Sequence, residues 1–195
     1  MEENKDCATD YDKRKKQAIE QCKMESVPIE TIIKHIKSFF KKNKQYEYGD
    51  IIHINYYYII MHCLKKIGNQ PNHSEIYAKY SNGGKNGYSY YDYLKDVYGL
   101  KKRGDIIWIK FTKSGHIAVV GKGYDVSQKK TWEYGKTTAG KLLAETKEEW
   151  DKENILIIPI KNGQAEDVEK ALGDYLTKEK NIPIIDYYSH NGGKP

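Results

Sequence analysis

Apolar and polar positions follow two different periods along this chain. Ile29, Ile32, Ile33, Ile36, Phe39 and Phe40 recur at three- and four-residue steps, with Lys34, His35, Lys37, Lys41 and Lys42 filling the other side. That spacing predicts an amphipathic helix. Pro28 suits its first turn, Ser26 or Val27 its cap, and the late lysines its negative dipole end. Further on the period drops to that of strands. Ile106–Phe111 and Ile117–Val120 are β-branched apolar runs around a polar turn, Thr112–Gly115, which predicts a β-hairpin. A third strand is expected at Lys130–Tyr134. Ile155–Ile160 reads as a short buried strand, with Pro159 near an edge or a strand end.

The remaining segments are helical or irregular. Tyr11–Met24 predicts a loosely held helix, Tyr88–Tyr98 a helix closed by Gly99, and Lys141–Trp150 another. Glu166–Thr177 predicts a helix burying Val168, Ala171, Leu172, Tyr175 and Leu176. Asn69–Gly87 is polar, glycine-rich and mostly loop. The tail from Asn181 starts extended and ends frayed. Residues 46–68 admit two patterns. Asp50 as N-cap and Gly68 as C′ residue frame one long helix, with Ile52, Tyr56, Ile59, Cys63 and Ile67 on one stripe. The β-branched and aromatic density of 51–60 also suits a strand, which would leave His62–Ile67 helical. The long helix is the expected form. It divides the chain into a helical segment, 1–45, and an α+β domain, 46–195.

Composition narrows the class. Of 195 residues 38% are hydrophobic and 31% charged, and the 18 tyrosines add apolar area with polar tips, so a folded core is expected. No apolar run approaches the length of a membrane span. The net charge of +6 is spread along the chain. With no zinc-finger or RNP-like motif, nucleic-acid binding is not expected, and an anionic wall or membrane face is compatible with the charge. The three cysteines, Cys7, Cys22 and Cys63, form no Cys-x-x-Cys pair. Structural zinc and a disulfide framework are therefore not expected; no other metal and no cofactor is expected either. Met1–Lys16 has no apolar signal core, so the expectation is synthesis in the cytoplasm without a secretory signal. A specialised route would then deliver the protein to a wall or target cell.

The candidate chemistry lies at the hairpin. His116 opens the second strand directly after Gly115, and Glu133 lies on the expected third strand. A histidine and a carboxylate on neighbouring strands can form an oriented general base. Trp108, Trp132 and Tyr134 are placed to line a substrate cleft. Cys63 is either a nucleophile on a helix facing the sheet or a small buried hydrophobe.

Gly104-Asp105 before a strand, then Gly115-His116 with Ala118, Val119 and Val120, then Glu133, resembles the CHAP amidases and peptidases and the related NlpC-type enzymes. The resemblance covers about thirty residues. It implies a papain-like α+β fold, an antiparallel sheet with helices packed on one side, here with extra N-terminal helices. It also implies a cysteine amide hydrolase in which Cys63 is the nucleophile, His116 the base and Glu133 the orienting acid. The substrate would be peptidoglycan or a peptide, and an immunity or inhibitor protein is a candidate partner. Cys63 stands about two turns beyond the family's cysteine position if the long helix forms. Two alternatives follow: a papain-like toxin or protease acting on a cytosolic protein, and a catalytically inactive binding member of the same fold.

Overall fold

The computed structural model describes residues 3–55, 106–122 and 138–187. Within them the chain folds as a mixed α+β structure. Its helices are α1 (Glu3–Lys23), α2 (Ile29–Lys42), α3 (Thr138–Thr146) and α4 (Ala165–Asp174), the last continued by a π-helical segment, Tyr175–Glu179. Its strands are β1 (Ile52–Ile54), β2 (Ile106–Thr112), β3 (Ile117–Lys122), β4 (Trp150–Pro159) and β5 (Ile184–Tyr187), in the spatial order β1-β4-β2-β3-β5.

Helix α2 follows its apolar pattern and buries Ile32, Ile36, Phe39 and Phe40. Each such side chain contributes roughly 1.5–3 kcal/mol on burial. Its N-cap is Pro28 rather than Ser26 or Val27, and no side chain closes the cap. The Pro28 carbonyl instead accepts from the N–H groups of Thr31 and Ile32.

The first turn of the expected long helix at 50–68 is corrected. Ile52–Ile54 is a strand, with Ile52 opposite Ile157 and Ile54 opposite Ile155 on β4. β-Branched side chains on a pleated surface gain more from this pairing than from a helix. The helical remainder of that expectation, with Cys63, lies outside the described residues, as do the expected strand at Lys130–Tyr134 and the helix at Tyr88–Tyr98.

The β2–β3 hairpin forms as its pattern predicts. Gly115 has φ +90°, a left-handed conformation that favours glycine. Its N–H bonds the Thr112 carbonyl, and Thr112 N–H bonds the His116 carbonyl, which closes the loop. The register shifts between Lys110 and Phe111, where Lys110 faces Val119 but Phe111 faces Ile117. Ala118 is therefore a bulge residue that resets which side chains face each layer. On the other flank of β2, Phe111 lies opposite Asp151 while Lys110 lies opposite Ile155. The intervening residues of β4 loop out. Asp151 holds that loop by accepting the N–H groups of Glu153 and Asn154.

The sheet is mixed, not purely antiparallel, because β5 runs parallel to β3. Parallel strands need a crossover, and α4 with its π-helical extension supplies it between β4 and β5. Nor do helices cover one side only. Ile107, Ile109, Phe111, Val120, Leu156 and Ile158 form one core with α2 and α4. Tyr187 packs against that core, whereas its neighbour Asp186 pairs with Arg14 of α1. Among the described residues none of α1 or α3 belongs to that core; both helices pack on β5 and on each other.

Candidate functional site

His116 sits at a corner where three segments meet: the hairpin tip, the α1–α2 junction, and the turn after α3. The hairpin tip is held close to that junction, since a Cβ added to Gly115 would stand 3.1 Å from Ser26 Oγ. Lys147 (φ 60°) ends the chain's run through α3. The Lys113 N–H then bonds the Glu149 carbonyl, and the Lys113 and Glu149 side chains form an ion pair. These contacts bring Glu148 onto the hairpin tip.

Both ring nitrogens of His116 are engaged, and the residue is only 6% exposed. Nε2 lies 2.8 Å from the main-chain carbonyl oxygen of Met24, just past the end of α1. Nδ1 lies 2.9 Å from Ser114 Oγ and 3.8 Å from Glu148 Oε1. Ser114 Oγ donates to Glu148 Oε2 at 2.5 Å and lies 2.7 Å from Thr112 Oγ1. Thr112 Oγ1 in turn accepts the His116 main-chain N–H at 3.1 Å. The imidazole is thus oriented from both sides, by a carbonyl on one and by a serine–carboxylate pair on the other.

Cys22 approaches the same corner on α1. Burial pushes its thiol up, a hydrogen bond with Thr146 offsets part of that, and the Glu148 charge adds to the rise. A thiol held in its neutral form is a poor nucleophile.

Trp108 is 8% exposed and lies against Gly121, where an added Cβ would come within 2.5 Å of its ring. The ammonium of buried Lys110 stands 4.5 Å from that ring's centroid. Cys63, Glu133, Trp132 and Tyr134 lie outside the described residues, so His116 and Trp108 are the two expected site residues whose surroundings are described. Among the described residues, the carboxylate that reaches His116 is Glu148. Sequence reasoning passed over it, and over Ser114 and Met24. Ser114 had a local signal in Ser-Gly-His. Met24 had none, because it contributes a main-chain oxygen.

Other groups stand apart from this corner. Glu169 of α4, 2% exposed, accepts the Lys122 N–H at the end of β3, and burial pushes its carboxyl up to about 7. Tyr187 donates to Asp174 at 2.9 Å; burial, and then that bond, push its hydroxyl up to about 12. An open depression between α1 and α3, about 320 Å³, is bounded by Tyr11, Lys141, Ala144 and Glu145. Tyr11 and Cys22 are about three helical turns apart on α1. Among the described residues no three His, Cys, Asp or Glu side chains gather as a metal site, and no helix is long and apolar enough to cross a membrane.

Comparison with protein-family models, with curated proteins and with solved structures finds no match.

Proposed function

We propose that this chain is a cysteine-dependent amide hydrolase of papain-like type, acting on peptidoglycan or a peptide, with Cys63 as nucleophile and His116 as its base. The observation that carries the reading is the imidazole at the opening of β3, buried and oriented on both sides by hydrogen bonds. Such control of ring orientation and tautomer is what a general base requires. In the reaction the Cys63 thiol passes its proton to His116, and the thiolate adds to the amide carbonyl. The C–N bond then breaks, the imidazolium returns its proton to the leaving amine, and a thioester remains. Water cleaves the thioester, releasing a carboxylic acid and the free thiol. Turnover on this scheme needs one ring nitrogen to exchange its present partner for the thiol.

That requirement favours a second reading, a catalytically silent member of the same fold that binds a peptide or glycan. The observation behind it is the occupation of both nitrogens, by Met24 and by Ser114. One experiment separates the two. Release of soluble fragments from purified cell wall and from peptide amides is compared for wild type, Cys63→Ala and His116→Ala. The hydrolase reading expects release by wild type and a loss of at least about a hundredfold in each variant. Equal release by all three removes the mechanism. Retention on the wall without release by any of them supports the binding reading.

A further inference from the structure

The hydrogen bonds around His116 can be assigned proton by proton. The Met24 carbonyl oxygen can only accept, so Nε2, 2.8 Å away, carries a proton. Thr112 Oγ1 receives the His116 main-chain N–H, which leaves its own hydroxyl proton for Ser114 Oγ at 2.7 Å. Ser114 and Glu148 oxygens 2.5 Å apart need a proton between them, as in a hydroxyl-to-carboxylate bond. That proton is the serine's own. A serine hydroxyl has one donor and two acceptor positions. With the proton given to Glu148 and one acceptor position taken by Thr112, the remaining position faces Nδ1 at 2.9 Å. Nδ1 must then bring a proton too.

We propose that His116 is held as a doubly protonated imidazolium, and that Glu148, acting through Ser114, is the positioning residue that supplies its counter-charge. A carboxylate within about 4–6 Å favours the charged ring, and Glu148 Oε1 is 3.8 Å from Nδ1. The other groups at this corner do not replace it. From α1 comes the Cys22 thiol, which is kept neutral by burial, and from the residue just past it the Met24 carbonyl. From the hairpin comes Lys113, which is ion-paired with Glu149. A protonated Glu148 that donated to Ser114, with Ser114 donating in turn to a neutral ring, would instead leave a single ring N–H, which the test distinguishes.

This charge state has a chemical consequence, which rests on the hydrolase reading. On that reading the imidazolium is the ring after it has taken the Cys63 proton, so Glu148 favours the thiolate–imidazolium pair over the thiol and a neutral ring, and the ring holds the proton that the leaving amine takes. Glu148 would then set the charge of the dyad without touching substrate.

The test is ¹⁵N–¹H NMR of the histidine rings at neutral pH, with His116 assigned through His116→Gln. Wild type should show two slowly exchanging ring N–H signals for His116. Glu148→Gln preserves the shape, and should show one at the same pH. Ser114→Ala breaks the relay while leaving the carboxylate in place, and should speed exchange of the Nδ1 proton alone. The amide region of the same spectra reports whether each variant is folded. A single ring N–H in wild type, or two in a folded Glu148→Gln protein at the same pH, overturns the proposal. The ring signals are read without substrate. An inactive wild type with two N–H signals therefore sinks the hydrolase reading alone, and an active one with a single signal sinks the relay alone.

Discussion

Replacing Glu169 with Gln should change how stability depends on pH more than it changes the structure. Glu169 is 2% exposed and receives one main-chain N–H, from Lys122 at 3.2 Å. Burial is the largest cause of its raised carboxyl. The Lys122 N–H and charge oppose the rise, while Glu166 and Asp186 add to it. The folded chain therefore keeps a proton up to about 7 that an ordinary carboxyl releases near 4.5. Between those pH values the native state binds more protons than the unfolded state, so its stability falls as pH rises through the window. At about 1.4 kcal/mol per pH unit the loss is about 3 kcal/mol. Gln keeps the size and an oxygen for the Lys122 N–H, but carries no titrating charge. Urea denaturation of both proteins from pH 4.5 to 8, with unchanged m-values, measures the effect. The variant should lack this downward slope and overtake wild type at the alkaline end, less about 1 kcal/mol for a weaker hydrogen bond. Parallel profiles would refute the argument, because they would mean that the charged carboxylate is solvated in the native state.

The other structural predictions concern packing and buried charge. Gly121→Ala places a Cβ within 2.5 Å of the Trp108 ring. It should cost about 1–3 kcal/mol in chemical denaturation, with altered tryptophan fluorescence. Arg14→Ala takes the ion-pair partner from buried Asp186. It should cost about 3 kcal/mol, and hydrogen exchange in α1 should rise more than in α2. Tyr187→Phe removes the hydroxyl that donates to Asp174 at 2.9 Å. The loss should be about 1 kcal/mol, with the Asp174 carboxyl moving up when titrated by NMR, since that bond helps hold it below its ordinary range against the opposing effect of burial.

The elements legible in the sequence are those whose signal is local. The hairpin was readable because two apolar runs flank a loop whose glycine takes a positive φ. Helix α2 was readable because its apolar stripe is its buried face. Strand β1 was misread because only three residues pair, and their partner is β4, some hundred positions away. Helix α3 ends at Thr146 rather than Trp150 because Lys147 turns left-handed and Trp150 pairs with Thr112. The parallel docking of β5 left no trace in composition, since Ile184 and Ile185 would suit an antiparallel edge equally well. The candidate site divides in the same way. His116 stood out by its place after Gly115. Glu148 reaches it only because the turn after α3 folds back on the hairpin, and Met24 acts through its backbone.

The proposed chemistry requires that His116 serve a thiol. The most direct measurement is the rate of Cys63 alkylation by iodoacetamide at neutral pH, read site by site by mass spectrometry, with Cys22 as an internal reference. Fast modification of Cys63, slowed about tenfold or more in His116→Ala while Cys22 stays slow in both, is the predicted result. A Cys63 as slow as Cys22, or one indifferent to the loss of His116, would contradict it.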